Sequence, residues 1–239
     1  MTTGERLLNG EIADPVETDL LAELDRVFTR WLGRDYDLQA IHATLAVAAA
    51  NRLDGDPAWL LLVGGPGNAK TETVTALSHA GAHIVSTIAS EGALLSGTSK
   101  GERAGDATGG LLREIGDRGV IVLKDFTSIL SMPVSSRSQV LGALREIYDG
   151  AWFRQIGADG GRRLEWQGHI SLIGAVTTAW DTHHAAVAEM GDRFIILRLD
   201  SSKNRIAFRQ VIWPHRRHEF RPHPGLVGAF CSGGGFAGA

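Results

Sequence analysis

One stretch constrains this chain more than any other: Trp59-Leu60-Leu61-Leu62-Val63, then Gly64-Gly65-Pro66-Gly67-Asn68-Ala69-Lys70-Thr71. A run of apolar residues without polar alternation reads as a strand buried on both faces, which belongs inside a parallel sheet. The glycine cluster ends the strand, and Lys70-Thr71 opens a helix. Gly64, four residues, Ala69, Lys70 and Thr71 match the strand–loop–helix pattern of a phosphate-binding loop, with alanine where the last glycine is usual. Gly65 and Gly67 let the backbone wrap an anion without a Cβ clash. The first helical N–H groups, through Glu72, favour negative charge there. Lys70 is expected to reach the β- and γ-phosphates of a nucleotide, and the Thr71 hydroxyl to ligate Mg2+. Ala69 adds a methyl and restricts positive φ, but the N–H it offers remains.

Around this motif, strands and helices alternate. Leu20, Leu21, Leu24, Val27, Phe28, Trp31 and Leu32 recur at helical spacing, and Gly33 ends that helix. The Ala-rich run over 37–53 reads as a second helix that ends at Asp54-Gly55, and Lys70 to Ala80 as a third. Strands are expected at 83–88, 119–126, 169–178 and 193–200, besides the first. A helix over 135–150 takes Ser135 or Ser136 as its N-cap. The segments around Trp152, Phe153 and Trp166 flank Ala158-Asp159-Gly160-Gly161 and read as a β-hairpin. Such alternation predicts an α/β fold with a five-stranded, mainly parallel sheet and helices on both faces. The domain reading is a leader and helix over 1–34, a core over 35–200, and a basic, Gly-rich, partly disordered tail over 201–239.

Composition narrows the function. The 239 residues suit one substantial domain, and 44% hydrophobic with 21% charged residues is ordinary for a water-exposed globular chain. A net charge of −3 gives no global attraction to nucleic acid or to acidic membranes. No run of about 18 apolar residues predicts a membrane span. The acidic N-terminus lacks the apolar core of a secretory signal, and the single Cys231 fits a reducing compartment, so a cytoplasmic protein is expected.

Several other groups are candidates for chemistry. Asp125 ends the strand Val120-Ile121-Val122-Leu123-Lys124 as its one carboxylate, and serves either as a site acid or as a turn cap. Thr177, with Thr178 beside it, ends the fourth strand. Arg193 precedes the fifth, where the plainer reading is an ion pair with Asp192 or Glu189. His215, His218 and His223 offer imidazoles but no rigid frame, and Cys231 is the one thiol near them, so no metal site is expected. Trp152, Phe153 and Trp166 either pack the hairpin on the core or present a loop tipped by Arg162 and Arg163.

The segment Gly64–Thr71 resembles the phosphate loop of AAA+ ATPases, with the alanine seen in MoxR-like members, and the resemblance spans roughly residues 35 to 200. It implies a P-loop NTPase fold that binds ATP and Mg2+ and acts as a homo-oligomeric ring on a protein or nucleic-acid partner. It also implies an acidic pair at the third strand end, and here two registers stay open. Asp125 matches either the magnesium-binding Asp, with Phe126 in the place of the water-activating Glu, or that Glu, with Lys124 in the place of the Asp. The resemblance makes Thr177 a polar sensor that orients the attacking water. It makes Arg193 a residue that reaches the γ-phosphate in the next subunit, and the hairpin a pore or substrate loop. The small helical lid of such modules is expected to be truncated or absent. Two functions follow: ATP hydrolysis coupled to remodelling of a partner, or a nucleotide-dependent switch with little or no hydrolysis. A metabolic kinase is a third, weaker reading.

Overall fold

The computed structural model describes residues 19–97, 109–157 and 161–199. The tail over 201–239, with its histidines and Cys231, and the leader before residue 19 lie outside the described residues, as does any lid after the fifth strand. Two helices come first. Helix α1 (Leu20–Leu32) is capped by the Asp19 carboxylate, which accepts from Ala22 N–H, and stops at Gly33, whose φ is +94°. Leu24, Phe28 and Leu32 form its buried stripe. Helix α2 (Leu38–Ala50) is capped by Asp37 and lies on the sheet through Ala40, Ile41, Leu45 and Ala48.

Strand β1 (Trp59–Val63) leads into α3 (Lys70–Thr75), which tightens into a 3-10 turn over Ala76–Ala80 instead of running on as one α-helix. Then come β2 (His83–Val85), α4 (Glu91–Leu94), α5 (Leu111–Ile115), β3 (Arg118–Leu123) and α6 (Thr127–Leu130). Helix α7 (Val134–Tyr148) starts after Pro133, whose extended backbone sets the entry; Ser135 and Ser136 sit within its first turn and do not cap it. The hairpin β4 (Ala151–Ile156) and β5 (Arg162–Gln167) follows, then β6 (His169–Val176), a 3-10 turn over Thr178–Thr182, α8 (His184–Met190) and β7 (Phe194–Arg198). Strands β2 and β3 are shorter than the sequence suggests. Past Val85 and Leu123 the two chains stay joined by Lys124 N–H to Val85 O and Asp125 N–H to Ser86 O, but out of the regular ladder.

The five strands β2-β3-β6-β1-β7 form one parallel sheet, with Leu61 opposite Gly174 on one side and Ile196 on the other. The period of two along each strand divides the core into two layers. Leu60, Leu62, Val120, Val122, Ile173 and Ala175 face α1, α2 and α3. Trp59, Leu61, Ile121, Leu123, Leu172 and Val176 face α7, α8 and the hairpin. The fold is thus α/β with helices on both faces. β1 and its neighbour β6 therefore send their following helices, α3 and α8, to opposite faces. A crevice opens between the carboxyl ends of such a pair of strands, where ligands of open α/β sheets bind.

The hairpin is a separate antiparallel pair with Trp152 opposite Trp166. Both indoles are buried, and Trp166 donates to Gly116 O at 2.8 Å, so the packing reading of these two residues holds. Phe153 points outward, with the Arg163 guanidinium 4.6 Å from its ring centre.

Candidate functional site

The loop after β1 is built from constraints on few atoms. Gly64 N–H donates to Val176 O, so the loop leaves β1 still tied to β6. A Cβ on Gly64 would meet Asn68 Nδ2 at 3.1 Å and Leu199 Cβ at 3.2 Å. Gly67 has φ +84°, which glycine adopts freely. Ala69 follows at φ 51°, ψ 18°, and is the sole non-glycine with positive φ among the described residues. An L-residue in that conformation stores about 1–2 kcal/mol. Ala69 O then accepts both from Thr73 N–H, beginning the α3 ladder, and from the Thr73 hydroxyl. The Thr73 hydroxyl also meets the Tyr36 phenol at 2.7 Å. Burial, opposed in part by that bond, pushes the Tyr36 pKa up, so the phenol stays neutral and pins α3 to the N-terminal helices.

Within the loop, the Lys70 amine folds back and donates to Gly64 O at 2.8 Å and Gly65 O at 2.7 Å. An ammonium has three protons, so one remains for a further acceptor. Burial lowers the Lys70 pKa; the carboxylates of Asp125 and then Glu72 pull it back up. Asp125 therefore stands in the electrostatic neighbourhood of Lys70 although 55 residues separate them in sequence. Asn68 is buried, and among the described residues its Nδ2 has no partner. An unmet buried donor costs about 1–3 kcal/mol, so the loop carries a cost that a new acceptor would relieve.

Three segments meet across this loop in a cleft of about 370 Å³. Residues 66 to 72 form one wall; Lys124, Asp125 and Thr127 form a second; Ala175, Val176 and Thr177 close the third. Thr177 N–H donates to the Thr127 hydroxyl at 3.1 Å, and that hydroxyl donates to Thr177 Oγ1 at 3.4 Å. Thr177 Oγ1 also accepts from Ala179 N–H at 3.3 Å, capping the 3-10 turn. Both of its lone pairs are engaged, and its own proton ends the chain as a donor.

Most sequence candidates converge here. Pro66, Gly67, Asn68, Ala69, Lys70, Thr71, Glu72, Asp125 and Thr177 line the one cleft, and Gly64 and Gly65 hold the lysine at its back. Arg193 does not line it. Its guanidinium makes two 3.1 Å bonds to the Asp149 carboxylate, lies 5.4 Å from the Tyr148 ring centre and donates to Met190 O. The partner within the chain is thus Asp149, not Asp192 or Glu189. Two lining residues escaped the sequence reading as site members. Thr127 follows the strand end by two residues, as a second hydroxyl beside the carboxylate. Lys124 stood out only as a departure from an acidic pair.

The donor set fits a magnesium ion shared with phosphate. Mg2+ typically takes one or two protein oxygens and completes its shell with water and phosphate oxygens. Thr71 and Asp125 supply a hydroxyl and a carboxylate on facing walls of the cleft. Among the described residues no three His, Cys, Asp or Glu side chains gather as a closed metal cluster, and no helix is long and apolar enough to cross a membrane.

No protein-family model matches the chain, and no curated protein matches it. Among solved structures it is similar to the apo A form of the NrS-1 C-terminal region, at 11% identity and a TM-score of 0.43. The match covers 90% of this chain and 48% of that one, so this chain spans about half its length. A likeness at that level carries no argument about function.

Proposed function

We propose that this chain is a P-loop NTPase of the AAA+ type, which binds ATP with Mg2+ in the cleft at the carboxyl ends of β1, β3 and β6. The single observation that carries the reading is the convergence of Lys70, Asp125 and Thr177, from three separate strand ends, on one cleft at the crevice between β1 and β6. On binding, the Lys70 amine turns its remaining proton to the β- and γ-phosphates, and the N–H groups of the loop surround them. Thr71 and Asp125 would hold the metal, which when bound neutralises charge on the phosphate oxygens. The proton at the end of the Thr127–Thr177 chain is the donor that would orient an attacking water.

A specific observation favours the alternative of a switch that hydrolyses slowly. The end of β3 brings one carboxylate and one amine to the cleft, Asp125 and Lys124, instead of two carboxylates. A single acid must then serve both metal and water. Phosphate release from ATP by wild type and by Asp125→Asn separates the two. A wild-type turnover abolished by Asp125→Asn supports hydrolysis coupled to remodelling of a protein or nucleic-acid partner. Tight ATP binding with no turnover above background in either protein supports the switch. No ATP binding at all overturns both.

The ring belongs to the same proposal. Arg193 would leave Asp149 to reach a neighbouring subunit's γ-phosphate, and a mixture of Arg193→Ala and Lys70→Ala subunits tests it. Turnover regained on mixing supports a shared site; ATP hydrolysis by a strict monomer removes the ring.

A further inference from the structure

We infer that Lys124 is a second phosphate-binding cation of the cleft, so that ATP is held by two lysines and needs little divalent metal to bind. The inference rests on the nucleotide reading above and concerns the amine that the end of β3 brings to the cleft beside Asp125.

Three observations carry it. Lys124 lines the same cleft as Lys70 and Thr71. It lies just past the end of β3, where the chain has left the regular ladder and Lys124 and Asp125 both line the one cleft. Its backbone is fixed by the bond from its N–H to Val85 O, so the half-buried stem starts from a set point. Third, among the described residues no ion pair or side-chain hydrogen bond engages the Lys124 amine, whereas Arg118, Arg154, Arg193 and Arg198 all have carboxylate partners.

The charge count gives the consequence. Lys70 and Lys124 offset Glu72 and Asp125, so the charged side chains lining the cleft sum to zero before ligand enters. A carboxylate at position 124 would make that sum strongly negative, and a triphosphate would then enter only with a metal. With an amine there, the anion meets two cations directly, and a divalent ion gains less because a fixed like charge opposes it. Lys124 thus acts on the terminal phosphates, and ATP should depend on it more than ADP does.

The test is calorimetric titration of the full chain with ATP and with ADP, once in Mg2+ and once in EDTA. Wild type is expected to bind ATP in EDTA nearly as tightly as in Mg2+. Lys124→Gln should weaken ATP in EDTA by roughly tenfold or more, as for a lost hydrogen bond to a charged group, and ADP by less. Lys124→Asp should bind ATP only when Mg2+ is present. Matching thermal midpoints of the unliganded proteins show that the variants are folded. The inference falls if Lys124→Gln binds ATP like wild type in both buffers, or if wild type needs Mg2+ to bind at all. Lys70→Ala distinguishes the two failures. Binding lost in Lys70→Ala but unchanged in Lys124→Gln removes Lys124 alone. Binding unchanged in both removes the nucleotide site itself.

Discussion

The two ends of the central sheet handle polar groups in opposite ways. At the amino end the side chains are matched within the protein. Asn51 is buried, and its Nδ2 reaches Gly119 O, His169 O and Ser171 Oγ. Arg118 donates to Asn51 O and Leu53 O and pairs with Asp54, and the Trp59 indole donates to Ile170 O. His169 is the exception, with Nε2 buried and without a partner among the described residues. Burial, then Arg118, lowers its pKa, so the ring stays neutral and the cost is small. At the carboxyl end the pattern reverses. Among the described residues Asn68 has an orphan donor, Ala69 is held in a left-handed conformation, and Lys70, Glu72, Lys124 and Asp125 all line one open cleft. One end is finished by folding. The other holds a cost in reserve, as the proposed nucleotide site would if it were preorganised for its ligand.

The largest expected effect breaks the finished end. Asn51→Ala removes the two N–H protons shared among these three acceptors and should cost about 2–3 kcal/mol of folding stability. Urea denaturation measures it, with the midpoint falling and the slope unchanged. At the other end Asp125→Asn should change the stability of the unliganded protein by less than about 0.5 kcal/mol, since that carboxylate is exposed and acts on Lys70 only through a solvent-screened field. Equal losses in the two variants would show that the ends do not differ.

Next in size is the ligand effect. A tight ligand at a hundredfold excess over its Kd stabilises by about 2.7 kcal/mol. Lys70→Ala should abolish this ATP-induced shift in a thermal scan, the shift being read for each protein from its own unliganded midpoint. A shift that survives would sink the nucleotide assignment and leave the open end without a ligand.

The finished end and the open end were unequally legible in the sequence. The apolar run at 59–63 and the glycines after it mark a central strand and its loop because that pattern has few other structural uses. Apolar runs alternating with helical segments mark the five strands and imply helices on both faces, whereas the division of side chains between the two layers is visible only in the structure. The convergence of Asp125 and Thr177 on the loop came from family pattern, not from spacing, since 55 and 107 residues separate them from Lys70. Arg193 was harder. A lone arginine before a strand says nothing of Asp149 and Tyr148, which are adjacent only because the end of α7 packs beside α8 and the turn that follows it. The cap of α7 was misread because serines are good caps in general, yet Pro133 already holds the extended entry there. Asn51, the best-bonded polar residue of the core, looks in sequence like an ordinary helix end.

A pH titration sharpens the comparison further. Phosphate needs the ammonium form of Lys70, and burial lowers the free protein's pKa below an ordinary lysine's 10.5. ATP affinity should be full on the acid side of that lowered value and fall as pH rises through it, by up to tenfold per pH unit. Folding stability runs the other way. In the same window the unfolded chain binds the proton more tightly, so the contribution of Lys70 to stability rises with pH. Because the Asp125 charge raises the Lys70 pKa, Asp125→Asn should move the loss of affinity to lower pH. Parallel loss of affinity and stability at alkaline pH would mean general unfolding, not deprotonation of Lys70.

The smallest effect is expected at Ala69, where two terms oppose each other. Glycine would relieve about 1–2 kcal/mol of left-handed strain. Against that, the Ala69 methyl is buried in the layer beneath α1 and α2, and deleting a buried methyl costs about 0.8 kcal/mol. Strain narrowly wins, so Ala69→Gly should stabilise the unliganded protein by about 0.5 kcal/mol and leave ATP affinity equal to or above wild type. The comparison makes this sign informative. A stabilising change shows that the open end carries real strain, as a preorganised loop would. A loss of more than about 1 kcal/mol would show that the methyl outweighs the strain and that the loop, like the amino end, is settled by packing. Unchanged stability with weakened ATP binding would give the alanine a third part, shaping the loop around the phosphate, which its buried position beneath α1 and α2 does not suggest.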